Sequence, residues 1–318
     1  MRLKHPLYFI SVIFLMGCSN ILPESEFLPP ASEQTKGKLY AQFFGASTIS
    51  ITDGNHSIMI DGFFTRQGYL KTVITRMKSN KETVQATLSK AEIERIDALL
   101  VSHSHYDHAL DSENTALITG AVLMGSERTI DLSPKSKSKK INVDEILLIG
   151  DFKISFYETP HVNKGNFLKN AEKFLLWSTG GSRFQEKAEV YSFFLQHPKG
   201  NTLIIPSSGF PSGIKLPVKA DTVFLSIGLL SNQSLAYIED YWQYAVVETC
   251  AKRVIPIHWD NFSKPLKKAI ATSPAFIDDI NKTITILKKL ATHSKCTNSA
   301  VEISFPPAFD SFLINRKD

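Results

Sequence analysis

Two β-sheets packed face to face with helices outside them, a four-layer αββα sandwich of the α/β class, is the fold that the sequence predicts. Three observations carry this. Short runs of aromatic and β-branched residues recur along the chain from residue 38 onward. Segments with apolar residues at helical spacing are interspersed among them. No Pro/Gly/Ser-rich linker long enough to divide the chain lies between residues 38 and 318, so about 280 residues read as one domain around one core.

The elements follow in order. Residues 38–44 and 47–52 are strands split by Gly45-Ala46. Asp53-Gly54-Asn55 is a turn, after which 56–60 resumes as a strand. Residues 68–80 and 84–94 have helical spacing, with Val73, Ile74 and Met77 on one face of the first. Residues 98–101 form a short apolar strand, and 145–149 and 152–159 are two more. Residues 190–196 and 202–206 flank His197-Pro198-Lys199-Gly200, which is hairpin-turn chemistry. Residues 222–227 and 253–257 are continuous apolar runs and read as buried strands. Residues 235–250 are a helix with Tyr237, Tyr241, Tyr244, Ala245 and Glu248 on one face. Ser273 and Pro274 suit the cap and first position of another helix, in which Ile277, Ile280, Ile284, Leu287 and Ala291 keep helical spacing. Residues 301–305 are the last strand.

Hydrophobic residues make up 43% of the 318 and charged residues 21%, a globular mixture that excludes disorder, a collagen-like repeat and a coiled coil. The one long apolar run, residues 7–16, is too little for a polytopic membrane protein. It would make about 15 Å of helix, half of a bilayer core, and follows the basic residues Arg2 and Lys4, as in a signal peptide. Its end, Leu15-Met16-Gly17-Cys18, resembles the lipobox of bacterial lipoproteins. That resemblance implies removal of residues 1–17, acylation of Cys18 and a membrane anchor of several acyl chains. A plain signal peptide with a chance cysteine is the alternative. Ser19, in place of an aspartate, implies the outer membrane, facing the periplasm. Residues 18–37 are polar and proline-containing and read as a tether to a domain over 38–318.

Charge and cysteine usage narrow the classes further. Removal of residues 1–17 takes the formal charge from +5 to 34 basic against 31 acidic, or +3, which makes no case for a nucleic-acid partner. Three cysteines cannot build a disulfide scaffold. With Cys18 assigned to lipid, Cys250 and Cys296 remain. Two buried thiols are the plainer reading, and an envelope setting would allow them to pair.

The chemistry sits in His103-Ser104-His105-Tyr106-Asp107-His108, directly after the apolar strand at 98–101. Alternate residues of an extended chain point to one side, so His103 and His105 can converge. A turn into a helix would bring Asp107 and His108 to the same cavity. Imidazole and carboxylate donors suit zinc, with iron or manganese as alternatives. Nine histidines in 318 residues make three within six an improbable feature of a solvated loop.

This H-x-H-x-D-H run after a strand resembles the signature of the metallo-β-lactamase superfamily. Ile58-Met59-Ile60-Asp61-Gly62 resembles that family's early strand with its structural aspartate, Thr159-Pro160-His161 its third-histidine segment, and Val254-Ile255-Pro256-Ile257-His258-Trp259 its late strand ending in a histidine. His258-Trp259-Asp260 and Leu176-Trp177 look most like the branch of ascorbate-phosphate lactonase and the N-acyl-phosphatidylethanolamine phospholipase D enzymes. The resemblance implies the αββα fold of that superfamily. It implies a first metal on His103, His105 and His161, and a second on Asp107, His108 and His258. Asp107 and His258 would also act in catalysis, on water and on developing negative charge. One position departs from the pattern. Where the family has a bridging aspartate, the turn Pro206-Ser207-Ser208-Gly209 places Ser207, a poorer ligand without charge, so the second site is expected to be weaker. Asp221 is not assigned as a substitute.

The implied activity is hydrolysis of a phosphodiester, lactone or other ester in a small-molecule or lipid-like substrate. The alternatives are a non-catalytic metal- or ligand-binding envelope lipoprotein on the same scaffold and a transporter's binding lipoprotein. Among other residues, His197 and His56 read as surface turns. His293 reads as a helix C-terminal cation, and Asp260 as a turn residue that could orient a ligand. Tyr106 reads as packing or as the mouth of the site. Glu158 is a candidate partner for His161. Residues 162–189 combine Phe167, Leu168, Phe174 and Trp177 with Lys164, Lys169 and Lys173, either a flap suited to an acyl chain and a phosphate or a helix covering the sheet.

Overall fold

The computed structural model describes residues 22–31, 38–68, 77–162, 189–267, 270–292, 296 and 299–315. The signal and acylation segment, the helix expected over most of 68–80, the flap at 163–188 with Leu176-Trp177, and His5 and His293 lie outside the described residues.

The expected sandwich forms from two seven-stranded sheets among the described residues. The first contains β1 (Tyr40–Phe43), β2 (Ile49–Thr52), β3 (Ser57–Ile60), β4 (Ala98–Leu100), β5 (Val122–Gly125) and β6 (Ser138–Lys140), in that spatial order. The second contains β7 (Leu147–Ile149), β8 (Phe152–Thr159), β9 (Val190–Gln196), β10 (Thr202–Ile205), β11 (Thr222–Ser226), β12 (Arg253–Ile257) and β13 (Glu302–Ile303). The last strand, β14 (Phe312–Leu313), returns to the first sheet and pairs antiparallel with β1. Aromatic side chains join the layers: Phe224 of β11 lies 6.4 Å from Phe312, and Trp259, just after β12, lies 6.5 Å from Phe43 of β1.

Strand direction positions the site. β3, β4, β5 and β6 run parallel, as do β10, β11, β12 and β13. Their C-terminal ends therefore share one rim. Asp61, His103, Ser207, Gly228 and His258 all follow those ends in the chain. β8 is antiparallel to β9, which is antiparallel to β10, so β8 also delivers His161 to this rim.

The helices are α1 (Lys81–Lys90), α2 (Tyr106–Ala109), α3 (Ser112–Thr119), α4 (Glu127–Asp131), α5 (Leu235–Trp242) and α6 (Ile280–Ala291). α1 starts earlier than the expected 84 because the Asn80 side chain accepts from the Thr83 N–H at 2.6 Å. The helix expected over 235–250 is α-helical only to Trp242, then forms a π-turn over Gln243–Val247. Glu248 leaves the expected face and bonds Gln243 and Lys215. The start expected at Ser273-Pro274 moves to Ile280. Asp278 accepts from the Leu229 N–H and the Ser231 hydroxyl, both at 2.7 Å, and the chain turns there before Asp279 caps α6.

Three further readings are corrected. Part of the segment read as a tether is docked: Leu22 and Leu28 are buried, Leu28 N–H donates to Phe305 at 2.8 Å, and Phe27 packs on Trp259 and Phe305. Apolar residues in that segment outweigh its prolines once a sheet edge is available to receive them. Cys250 and Cys296 form a disulfide with Cα atoms 5.3 Å apart, rather than two thiols. His197 is buried, not a surface turn residue, because its ring packs on Phe152 at 4.7 Å and faces Asp53 of the opposite sheet at 3.4 Å.

Candidate metal centre

His103 and His105 follow β4 in extended conformation, and His105 is the N-cap of α2, which carries Asp107 and His108 inward. Among the described residues the structure gathers three groups of three ligand-type side chains; Asp53, Asp151 and His197 form one near the turn after β2, and the other two lie at the shared rim. These are His103, His105 and His161, and Asp107, His108 and His258, each with donor atoms within 4.8 Å of one another. His161 meets His103 and His105 at ring distances of 5.2 and 4.7 Å. All six residues carried over from the family pattern are thus at one rim.

The hydrogen bonds select the tautomers that a cation requires. His108 Nδ1 lies 2.7 Å from Asp61 Oδ2, so it carries the proton and leaves Nε2 for the cavity, 3.5 Å from Asp107. His161 Nδ1 donates to the Val162 carbonyl at 2.9 Å, again freeing Nε2. His103 Nδ1 lies 3.1 Å from Ser102 Oγ, whose hydroxyl donates to Asp61. His103 Nε2 and His105 Nδ1 then point at each other across 3.1 Å. Ring nitrogens and a carboxylate converging in this way, with the outer nitrogens of His103, His108 and His161 held by acceptors, fit a divalent cation in each of the two rim groups.

Electrostatics favour the ligand form of Asp107. Burial acts to raise the Asp107 carboxyl. The charges of His108, His258 and His105, with the hydrogen bond from His258, outweigh it and hold the group well below the usual carboxylate range. Burial acts to lower His258, but Asp107 at 3.2 Å and the charge of Asp260 raise it. Asp107 is therefore ionised, as a ligand must be.

The structure also shows how Asp61 and His258 are held, and adds Gly228, which the pattern did not mark. Asp61 is fully buried with φ +50°, and accepts from Ser47, the Ser102 N–H and His108. Asp61→Asn is expected to weaken metal binding by about ten- to a hundredfold with the fold retained, since the amide keeps one acceptor oxygen where the Ser102 N–H and His108 need two, and so loosens the His108 ring. Competition with a chelator measures this, and unchanged affinity would refute the role. His258 sits in the left-handed region at φ +59°, held by its N–H donating to the Ala46 carbonyl at 2.7 Å. Gly228 makes room for it, because a Cβ there would lie 2.8 Å from His258 Nδ1. A glycine directly after a buried strand was the available signal.

Asp260 is more than a turn residue. It is buried, pairs with Arg66 at 2.7 Å and accepts from the Ala46 N–H at 2.7 Å, so it holds the loop that holds His258. Tyr106 both lines the cavity and packs on Phe63 and Phe262. Glu158 is exposed opposite Tyr191 on β9, and the His161 partner is a backbone carbonyl instead. Asp221 lies at the far end of β11, bonded to Asn201 and Lys252. His56 remains a half-buried turn residue, 3.3 Å from Asp97.

A cavity of about 180 Å³ opens onto the centre. Ser207 lies in its wall and receives a long 3.4 Å bond from the Val162 N–H. Gly209 lets this turn approach the ligand segment, because a Cβ there would meet the Pro160 carbonyl oxygen at 1.9 Å. Val162, Leu229, Phe262 and Ile277 give the cavity apolar walls. Tyr237 and Tyr241 tie α5 to its floor through hydroxyl bonds to the Ser208 and Ser226 carbonyls at 2.8 and 3.0 Å. Burial pushes the Tyr237 phenol up to about 12, so it stays a donor.

Comparison with known proteins gives the following. The model of the metallo-beta-lactamase superfamily matches residues 42–167. The UPF0173 metal-dependent hydrolase of Staphylococcus aureus (strain JH9) is 24% identical over 242 residues, covering 69% of this chain and 85% of its own. Among solved structures, the metallo-beta-lactamase fold protein YhfI from Bacillus subtilis superposes with a TM-score of 0.52 at 14% identity, covering 86% of this chain and 99% of that one. CmlA, a diiron beta-hydroxylase from Streptomyces venezuelae, gives 0.51 at 11% identity, covering 89% and 55%. At such identities these two structures speak to the fold.

Proposed function

We propose that the chain is a metal-dependent hydrolase of the metallo-β-lactamase superfamily and that it cleaves a phosphodiester, lactone or other ester. The observation that carries the proposal is the meeting of both ligand groups at one cavity with apolar walls. Divalent cations held by His103, His105 and His161 and by Asp107, His108 and His258 would supply Lewis acidity and lower the pKa of a water from 15.7 toward about 7. Zinc is our preferred ion from the nitrogen-rich donor set, with iron or manganese as alternatives.

The chain's own residues do the rest. Asp107, ionised, accepts a hydrogen bond from the attacking water and takes its proton. His258, 3.2 Å from Asp107 and raised toward its charged form by it, holds that carboxylate in place and, where no second ion is bound, stabilises the developing oxyanion. Val162, Leu229 and Phe262 bind the apolar part of the substrate and exclude bulk water. Rates on bis(p-nitrophenyl) phosphate, a lactone and a p-nitrophenyl ester test the substrate class. Activity on none of them would refute it.

Ser207 favours a second reading, a metal- or ligand-binding lipoprotein without turnover, because the position lacks a charged bridging ligand. Ser207→Asp is expected to raise metal content toward two equivalents, read by elemental analysis. Unchanged stoichiometry would refute the assignment of this position. We further propose that Cys18 is acylated and anchors the protein in the bacterial envelope at the outer membrane, facing the periplasm. Mass analysis of the N-terminal peptide tests this.

A further inference from the structure

We propose that α6 and the cavity lip before it form a docking surface for an anionic bilayer, so that the cavity opens at the membrane. The proposal uses the acyl anchor at Cys18 only to set reach.

Four observations converge. First, α6 reads Ile280-Asn281-Lys282-Thr283-Ile284-Thr285-Ile286-Leu287-Lys288-Lys289-Leu290-Ala291, with three lysines and no carboxylate. Ile280, Thr283, Leu287 and Ala291 are its buried face, and Lys282, Lys288 and Lys289 are exposed, Lys282 donating to the Ser231 carbonyl at 2.7 Å and Lys288 pairing with Glu26. A basic face of this kind is complementary to anionic lipid.

Second, Phe276, four residues before α6, is 72% exposed, the most exposed large apolar side chain among the described residues. Its neighbours Ile277 and Asp278 line the metal cavity, so this aromatic stands on the cavity lip. An exposed phenylalanine beside lysines can enter the headgroup region while they meet phosphates.

Third, the rim continues the positive charge. Exposed Lys264 and Lys267 line a side pocket that shares Asn261 with the cavity.

Fourth, the anchor arrives beside α6. Glu26 of the docked N-terminal segment pairs with Lys288 at 2.6 Å, and Leu22 is buried. Only residues 19–21 separate Cys18 from Leu22. Four extended steps reach at most about 14 Å. A tether this short holds the α6 side against the bilayer instead of letting the domain roam above it.

The test uses the unacylated chain from residue 19 onward, which keeps every described residue, with vesicles of phosphatidylcholine alone or mixed with phosphatidylglycerol. Sedimentation should show binding to the mixed vesicles at least roughly tenfold tighter than to the neutral ones, weakening with salt. Lys289→Gln should lose about fivefold and Phe276→Ala severalfold, with a smaller loss for Lys288→Gln because Glu26 already offsets its charge. Melting temperature and metal content should stay unchanged in Lys289→Gln and Phe276→Ala, because both side chains are exposed. Equal binding to both vesicle types, no binding by the unsubstituted chain, or variants that bind as it does would each overturn the proposal. Docking that persists while Cys18 proves unacylated in cells would refute the anchor alone and leave the surface standing.

Discussion

The double variant His103→Ala/His105→Ala is expected to lose the ion of the first group and roughly a thousandfold in hydrolysis rate. Lewis-acid stabilisation is worth several kcal/mol and each 1.4 kcal/mol is tenfold. The fold should survive. These side chains make their contacts with one another and with Ser102, His108 and His161, and the strands beneath are packed by Leu99, Leu100 and Val101. Elemental analysis and circular dichroism of purified protein, alongside rates on the phosphodiester and esters, check the prediction. Equal rates in variant and parent would assign the activity to a contaminant, and unchanged metal content would place the ion elsewhere.

The second large effect is on stability. Asp260→Ala should destabilise the protein by about 3–5 kcal/mol, because it strands the Arg66 guanidinium in the interior. The two side chains are 0% and 2% exposed and 2.7 Å apart. The change also removes the acceptor of the Ala46 N–H, and with it the support of the Ala46 carbonyl that holds His258. Metal content should therefore fall as well. Replacing both members, Arg66→Met with Asp260→Leu, should recover most of the stability, since an apolar pair leaves no unpaired charge, while metal content stays low. Urea titration of the single and double variants measures the first quantity and elemental analysis the second. A loss below about 1 kcal/mol would show that Arg66 finds water or another partner.

Some elements could be read directly because their information is local. Residues 152–159, 190–196 and 253–257 combine strand composition with clear turns or charged flanks, and β8, β9 and β12 have those bounds. β5, β6 and β14 carried no comparable signal. Val122–Gly125 is a four-residue run, too short to tell strand from helix by period. Phe312–Leu313 is a strand only through its pairing with β1. Ser273-Pro274 looked like a helix start by local chemistry, but Asp278 gains more from two buried donors than from continuing a helix, so α6 begins later.

The donors of the centre were present in one hexapeptide and two strand ends, and alternation explains why His103 and His105 face one way. Composition decided the kind of chemistry: imidazoles with a single carboxylate, and a serine where a charge would bridge. Its limits were positional. Whether His161 and His258 reach the hexapeptide depends on parallel strand ends meeting across two sheets, which no local pattern encodes. The left-handed His258, the space left by Gly228, the Asp61 contact that sets the His108 tautomer and the buried Arg66–Asp260 pair all join residues far apart in the chain. Side-chain chemistry is a property of the residue, and so the chain order discloses it. Tautomer, reach and burial are properties of neighbours, and the packed fold alone supplies those.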